Sequence, residues 1–175
     1  MVSRIFARAL VILMLLAAYP AFTPAFAEEP KLLSTHGDWT AYSFKEGNAT
    51  VCYMTSQPTK SEGAYKKRDK PFALITHRPA ENTKNVFSYI AGYTYQSGSD
   101  VEVIIDGKTY TLFTHKDMAW ARDAETDNKL ADAVQKGSNM TVKGTSARGT
   151  LTTDTFSLKG TGAAHDAINK ACKVK

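Results

Sequence analysis

Cysteine is scarce in this chain of 175 residues, and its scarcity excludes one kind of site at the outset. Only Cys52 and Cys172 are present, and they are too far apart to form a Cys-x-x-Cys pair. Redox catalysis of the thioredoxin type depends on that close spacing, so a redox-active dithiol is not expected. An even pair this widely separated favours a structural disulfide, with two buried free thiols as the alternative.

The chain also lacks the short motifs of several enzyme classes. No Gly-x-Ser-x-Gly segment surrounds a serine, and no glycine-rich phosphate loop occurs. Zinc sites need several converging ligands, and no histidine stands at His-x-His or His-x-x-x-His spacing. We therefore predict no metal, no cofactor and no enzymatic activity, and interpret the four histidines as surface or loop residues: His36, His77, His115 and His165.

Long apolar runs are missing too, apart from one near the N-terminus. Arg4 and Arg8 precede the uncharged run Ala9 to Ala18, and the Ala-Phe-Ala segment ending at Ala27 has the small residues of a cleavage site. These three parts predict a secretory signal peptide over residues 1–27, cleaved after Ala27. No cysteine lies beside that site, so we expect a periplasmic or secreted protein without a lipid or transmembrane anchor.

The remaining residues, 28–175, are expected to form a single domain. A domain of this length can bury roughly 68–70% of its unfolded surface, which is enough for a real core. Cleavage of the predicted signal peptide would remove Arg4 and Arg8. The formal net charge would then fall from +5 to about +3. An excess this small argues against a nucleic-acid partner.

Alternation of large and small residues predicts a mainly β domain. The strand-like segments are Trp39 to Phe44, Ala49 to Ser56, Phe72 to Thr76, Val86 to Tyr95, Val101 to Ile105, Lys108 to Thr114, Asn139 to Ser146 and Thr150 to Leu158. Asp106-Gly107 favours a type I′ hairpin turn, because both central residues of that turn need a positive φ. Pro58 to Lys70 is polar and basic, which predicts a loop. About nine short strands indicate a single-domain antiparallel β-sandwich or barrel-like fold.

Two short helices complete the expected fold. Thr126 can cap a helix that carries apolar residues at helical spacing from Leu130 to Val134 and stops at Gly137. A second helix is expected from about Gly162 to Cys172, at the C-terminal end. A disulfide between Cys52 and Cys172 would fasten this terminal helix to the second strand of the first hairpin.

Positive charge is concentrated in one expected loop, in which Lys66, Lys67, Arg68 and Lys70 follow Tyr65. Such a loop could contact an anionic partner, such as lipopolysaccharide phosphates, peptidoglycan acids or an acidic protein. The alternative is a solvated loop that keeps neighbouring strands soluble. Aromatic residues offer a stacking face for sugars or, alternatively, core packing: Trp39, Tyr42, Tyr53, Tyr93, Tyr95 and Trp120.

Several short segments together resemble a known family. They are Gly37-Asp38-Trp39, Cys52-Tyr53, Ile75-Thr76-His77-Arg78-Pro79, Asp106-Gly107, Gly137-Ser138-Asn139-Met140, RGTLTTDTFSLKG from Arg148 to Gly160, and Ala171-Cys172. Their order and spacing resemble the invasion-associated locus B family of exported alphaproteobacterial proteins, from about residue 36 to residue 172. The resemblance implies an envelope protein, and the family name refers to host-cell invasion. It supplies no catalytic residues and no disulfide pairing, since longer members carry more cysteines.

These observations predict an exported, non-enzymatic and virulence-associated envelope protein that acts as a binding or interaction module. Its partner would be an envelope or host protein or glycan. One alternative is a glycan or cell-wall hydrolase that uses carboxylates and a histidine, because paired carboxylates need only spatial closeness. A second alternative is a purely structural envelope protein whose role is assembly.

Overall fold

The computed structural model of this protein describes residues 29–174. The predicted signal peptide and its cleavage site lie outside the described residues. Among the residues that are described, no helix is both long and apolar enough to cross a membrane.

Eleven strands and two α-helices build the described part of the chain. The strands are β1 (Lys31–His36), β2 (Trp39–Glu46), β3 (Ala49–Ser56), β4 (Lys60–Gly63), β5 (Phe72–Arg78), β6 (Thr83–Ile90), β7 (Asp100–Ile105), β8 (Lys108–His115), β9 (Met118–Trp120), β10 (Asn139–Thr145) and β11 (Leu151–Ser157). The helices are α1 (Ala124–Lys136) and α2 (Thr161–Cys172). The predicted mainly β fold with a C-terminal helix is confirmed.

All eleven strands belong to one antiparallel sheet, in the order β1-β2-β3-β5-β6-β9-β8-β7-β10-β11-β4. The sheet is open, so β1 and β4 form its two edges. The sheet curls strongly. This is shown by a hydrogen bond between strands far apart in the order, in which the indole Nε1 of Trp39 on β2 donates to the carbonyl oxygen of Ser157 on β11 at 3.0 Å. Strands far apart in the sheet order therefore meet across the core, as in a barrel that is not closed.

The hairpins with a clear local turn signal are confirmed. β2 and β3 pair from Thr40↔Thr55 to Glu46↔Ala49, with Gly47-Asn48 between them. β7 and β8 are joined by Asp106 and Gly107, whose φ angles of 47° and 81° are the positive values of the predicted turn. β10 and β11 also pair along their whole length, as expected.

Three strands were not predicted, namely β1, β4 and β9. The expectation that Pro58 to Lys70 is entirely a loop is wrong, because β4 (Lys60–Gly63) pairs with β11 inside that segment. All four residues of β4 are exposed, so this edge strand has no apolar alternation by which to be recognised. Another predicted strand was too long. It was expected to run as far as Tyr95, but β6 ends at Ile90.

Helix α1 begins one turn earlier than the sequence indicated. Its N-cap is Asp123, whose Oδ1 accepts a hydrogen bond from the backbone N–H of Thr126 at 2.7 Å. The predicted cap at Thr126 is therefore wrong, because Thr126 is the third helical residue and supplies the N–H that a cap satisfies. The predicted stop is correct, since the helix ends at Lys136 and Gly137 follows it.

Helix α2 packs on β1, β2, β3 and β5, near one edge of the open sheet. It is fastened there by a disulfide between Cys172, its last residue, and Cys52 on β3. The predicted pairing is confirmed, and the bridge joins residues 120 positions apart in the chain.

A polar circuit lies beside the disulfide and joins α2 to β5 and β6. His77 and His165 are 0% and 6% exposed, so the interpretation of both as surface residues is wrong. The backbone N–H of Asn85 donates to Nδ1 of His77 at 3.0 Å, and Nε2 of His77 lies 2.9 Å from Oδ1 of Asn169. On the helix side, Nδ2 of Asn169 lies 3.0 Å from Nδ1 of His165, and Nε2 of His165 lies 2.9 Å from Oδ1 of Asn85.

Donors and acceptors in this circuit match only when both imidazoles are neutral. The Asn85 N–H can only donate, so Nδ1 of His77 accepts and Nε2 carries the proton. Asn169 then turns its oxygen to His77 and its amide N–H to His165, which places the second proton on Nε2 of His165. Burial, together with the neighbouring His165, lowers the pKa of His77 to about 4. Burial also lowers the pKa of His165, against the opposing charges of Asp166 and Asp132.

We expect the free energy of unfolding to decrease as the pH falls from about 6.5 towards 4. In this range His77 binds a proton in the unfolded chain but stays neutral in the folded one, so acid favours unfolding, by at most about 3 kcal/mol for this residue. Urea denaturation across the range measures the effect. His77→Gln should be less stable at neutral pH and should flatten the pH dependence, whereas His115→Gln, at an exposed site, should leave it unchanged. An unchanged slope in His77→Gln would contradict the assignment.

The disulfide should contribute about 4–5 kcal/mol to stability, because it restricts the unfolded chain over a long loop. We expect the double variant Cys52→Ala/Cys172→Ala to lose that amount in denaturant unfolding, and reduction of the original protein to cause a similar loss. The reductant should have no effect on the double variant, which serves as the control. Equal stability of the oxidised and reduced proteins would show that the bridge contributes nothing.

Candidate binding cleft

The segment of residues 64–71, which connects β4 to β5, is held against the chain that leaves β6. The backbone N–H of Asp69 donates to the carbonyl oxygen of Gly92 at 3.1 Å, and Nε of Arg68 donates to that of Ala91 at 2.6 Å. Gly92 has a φ of 73°, and a Cβ atom there would lie 2.1 Å from the carbonyl oxygen of Asp69. Only glycine therefore permits this close approach of the two segments.

Arg68 makes a bidentate ion pair with Asp154 on β11. Its Nη1 lies 2.9 Å from Oδ1 of the carboxylate and its Nη2 lies 2.7 Å from Oδ2, which is the parallel geometry that guanidinium and carboxylate groups favour. The side chains are 3% and 0% exposed, so the pair is buried. Arg68 therefore differs from the predicted loop cation, because its charge is directed inward and neutralised.

The carboxylate of Asp154 is fully hydrogen-bonded. Besides the two bonds from Arg68, its Oδ1 accepts from the hydroxyl of Ser61 on β4 at 2.5 Å, and its Oδ2 accepts from the hydroxyl of Tyr89 on β6. Nη2 of Arg68 also donates to the Tyr89 hydroxyl oxygen at 2.9 Å. Four donors occupy the sites that a carboxylate offers, so Asp154 has no free capacity for a ligand.

Protonation states in the cluster follow from these contacts. Burial opposes the charge of Arg68, but its hydrogen bonds to Asp154 and Tyr89 outweigh this and raise the pKa of the guanidinium. Burial and the neighbouring Asp154 charge raise the pKa of the Tyr89 phenol. Arg68 is therefore charged and Tyr89 neutral at any physiological pH, and the cluster is a fixed structural unit.

Above this cluster lies a cleft of about 720 Å³. Its walls come from three segments: residues 64–69, residues 92–94, and the turn between β10 and β11 with the first residues of β11. The lining side chains are Ala64, Tyr65, Lys66, Lys67, Arg68, Asp69, Tyr93, Thr94, Ser146, Ala147, Arg148, Thr150 and Thr152. The guanidinium of Arg68 lies 4.8 Å from the ring centre of Tyr93 and 5.6 Å from that of Tyr65, so two aromatic rings flank it.

The predicted basic residues are divided between different environments. Lys66 and Lys67 are exposed and line the cleft, together with Arg148, which sequence reasoning did not select. Lys70 is exposed but lies outside it, at a smaller neighbouring depression of about 330 Å³. The idea that the loop binds an anionic partner stays a prediction, now with Lys66, Lys67 and Arg148 as its cations.

The aromatic residues considered as a stacking face are also divided. Trp39 and Tyr95 are buried in the core. Tyr42 and Tyr53 stack on each other at 5.3 Å on adjacent strands, away from the cleft. Of the six residues considered, Tyr93 alone is among those that line the cleft, where its hydroxyl lies 2.7 Å from Oγ1 of Thr152.

The lining of the cleft contains few side chains of the kinds used in acid–base or metal chemistry. Asp69 is the single carboxylate among its lining residues, and the lining contains neither histidine nor cysteine. The hydroxyl oxygen of Ser146 accepts a hydrogen bond from the backbone N–H of Thr150 at 3.2 Å. Within residues 29–174, no group of three histidine, cysteine or acidic side chains converges as a metal site would require.

Removal of the Asp154 charge should destabilise the protein strongly, because Arg68 would be left buried without a counter-charge. We expect Asp154→Asn to lower the free energy of unfolding by about 3–5 kcal/mol, as measured by denaturant unfolding. Asp69→Asn changes an exposed carboxylate on the same loop and should cost less than about 0.5 kcal/mol. A loss below about 1 kcal/mol for Asp154→Asn would show that the pair does not hold the fold.

Comparison with known proteins places the whole cleft inside one recognised family region. The family model described as "Invasion associated locus B (IalB) protein" matches residues 39–169. This range includes all three walls of the cleft as well as Asp154. No curated protein matches the sequence.

A solved structure supports the same fold. The crystal structure of invasion associated protein B from Bartonella henselae is similar to this chain with a TM-score of 0.56 and 12% sequence identity. The similarity covers 80% of this chain and 96% of that one, and at this identity it concerns the fold. Because the family model spans most of the sequence, the protein belongs to the invasion associated locus B family.

Proposed function

We propose that this protein is an exported, non-enzymatic binding module of the bacterial envelope or the host interface, and that its cleft holds an anionic partner. The observation that carries the proposal is the charge of the cleft. Lys66, Lys67 and Arg148 are exposed at its walls, and Asp69 is the single acidic residue that opposes them there. The disulfide supports an oxidising compartment, such as the periplasm or the exterior.

The buried ion pair determines where an anion would bind. Because Asp154 neutralises Arg68, the net positive charge of the cleft comes from its exposed lysines and arginine. Exposed charged groups of this kind are strongly hydrated, and salt screens their interactions with a ligand. We therefore expect binding of moderate strength that weakens as the ionic strength increases.

The alternative of a glycan or cell-wall hydrolase receives no support from the cleft. Glycoside hydrolysis uses two carboxylates that flank the scissile bond, and Asp69 has no second carboxylate beside it among the lining residues. Asp154 lies beneath the lining with every acceptor site occupied. The third possibility, a purely structural envelope protein, leaves the charge of the cleft without a role.

Loss of the two cleft lysines should weaken binding and reduce its salt dependence. We expect the double variant Lys66→Ala/Lys67→Ala to bind isolated bacterial envelopes or host-cell membranes about 30-fold more weakly at low salt, since each lysine near an anionic surface contributes about 1 kcal/mol. Co-sedimentation over a series of salt concentrations measures both effects. Arg68 is left unchanged, because its replacement would disrupt the fold.

The control removes the same charge elsewhere. Lys129→Ala/Lys136→Ala changes two exposed lysines of α1, which do not line the cleft. It should bind nearly as well as the unaltered protein. Equal losses in the two double variants would show that net charge alone matters, and absence of saturable binding to either material would refute the proposal.

A further inference from the structure

We infer that the ligand of the cleft is an acidic oligosaccharide, which stacks a sugar ring on Tyr65 and pairs its acidic groups with Lys66 and Lys67. This inference rests on the proposed function and narrows the anionic partner to one chemical class. Three features of the cleft carry it: the polarity of its walls, the exposed ring at its rim, and the loops from which it is built.

The walls are unusually polar for a site of this size. Pockets for small molecules are commonly about 300–1,000 Å³ and lined mainly by hydrophobic and aromatic side chains. Among the residues that line this cleft, Ala64 and Ala147 are the only aliphatic side chains, and the others are charged, hydroxyl-bearing, tyrosine or glycine. Such walls suit a ligand that is hydrated over its whole surface, as an oligosaccharide is.

Tyr65 supplies the apolar surface that a sugar ring needs. It is 37% exposed, one of few large apolar side chains that are exposed among the described residues. The ring lies close to Gly63, where an added Cβ atom would be 3.0 Å from its Cδ1, and the guanidinium of Arg68 lies 5.6 Å from its centre. An aromatic ring presented in this way can cover the C–H face of a sugar while its hydroxyl stays in water.

Residues with hydrogen-bonding side chains also line the cleft. Thr94 and Thr150 are among the lining residues, as are Tyr93 and Thr152, whose hydroxyls bond to each other at 2.7 Å. Hydroxyl groups both donate and accept, so they match the hydroxyls of a sugar in either direction. Lys66 and Lys67 then provide the charge for carboxylate or phosphate substituents.

An acidic peptide fits the cleft less well. Peptides are commonly bound by addition to a free strand edge, with pockets for alternate side chains. Two walls of this cleft are loops, and the third is a turn with the start of β11, whose neighbours β10 and β4 occupy both of its edges. Ala64 and Ala147 are the only aliphatic side chains of the lining, so the cleft offers little apolar surface to the side chains of a peptide.

Calorimetric titration of the oxidised protein with three probes tests this inference. The probes are a galacturonic acid trisaccharide, the same trisaccharide with its carboxyl groups reduced, and a triglutamate peptide. We expect the uronate to bind and the neutral trisaccharide to bind about 10-fold more weakly, because charged contacts are lost. Tyr65→Ala should weaken uronate binding about five-fold. Tyr42→Ala, at a half-exposed tyrosine outside the cleft, should not.

The outcomes separate this inference from the proposed function. Equal binding of the uronate and triglutamate, with no effect of Tyr65→Ala, would overturn the oligosaccharide while leaving an anion-binding cleft. Failure of all three probes, while Lys66→Ala/Lys67→Ala still weakens envelope binding, would do the same. Equal binding of the neutral and acidic trisaccharides, unaffected by the lysine variants, would overturn both. Matching unfolding midpoints of Tyr65→Ala and the unaltered protein confirm that the variant is folded.

Discussion

The buried pair of Arg68 and Asp154 joins two strands of the open sheet that are not neighbours in the strand order. Asp154 lies on β11, near one edge of the sheet, and Tyr89 lies on β6, in its middle. Arg68 donates to Asp154, to Tyr89 and to the carbonyl oxygen of Ala91, so one guanidinium joins the two regions across the interior. A buried ion pair adds little net stability, but the loss of one partner is costly, and this favours a single closed arrangement.

A second set of cross-links, near the opposite edge of the sheet, connects helix α2 to the strands. There the disulfide joins α2 to β3, and the circuit of His77, Asn169, His165 and Asn85 joins the same helix to β5 and β6. Cys52 and His77 are direct partners across β3 and β5, so the covalent and the hydrogen-bonded connections form one unit. The cluster around Arg68 depends on an ion pair, whereas the attachment of α2 depends on a disulfide and on neutral imidazoles.

Local signals in the sequence predicted hairpin turns and helices, and the disulfide was the one long-range contact that was predicted. Asp106-Gly107 forces its turn by itself, and the separation of Cys52 from Cys172 identified the disulfide without knowledge of the sheet. Edge strand β4 was missed because its exposed residues carry no alternation. The circuit was missed for another reason. His77 and His165 are 88 positions apart, and nothing near either residue shows that a helix and a strand bring them together.

The cleft shows the same limit, because adjacent cations in one loop have opposite roles. Sequence reasoning grouped Arg68 with its lysines, since the partner of Arg68 lies 86 positions away. A signal was nevertheless present, because Asp154 stands between Thr152 and Phe156 at an inward position of an alternating strand. A carboxylate at such a position requires a buried cation, and arginine, with its planar and weakly hydrated charge, suits that role better than lysine.

This division of roles also limits how the cleft can bind. An anion that entered it would gain Arg68 only by displacing Asp154, which is inaccessible to solvent and held by four hydrogen bonds. An anionic ligand of the proposed kind would therefore contact the hydrated lysines of the loop, while Arg68 keeps the loop in position. In this proposal separate residues position the loop and recognise the ligand, so replacement of the surface lysines should leave the fold intact, whereas replacement of Arg68 should not.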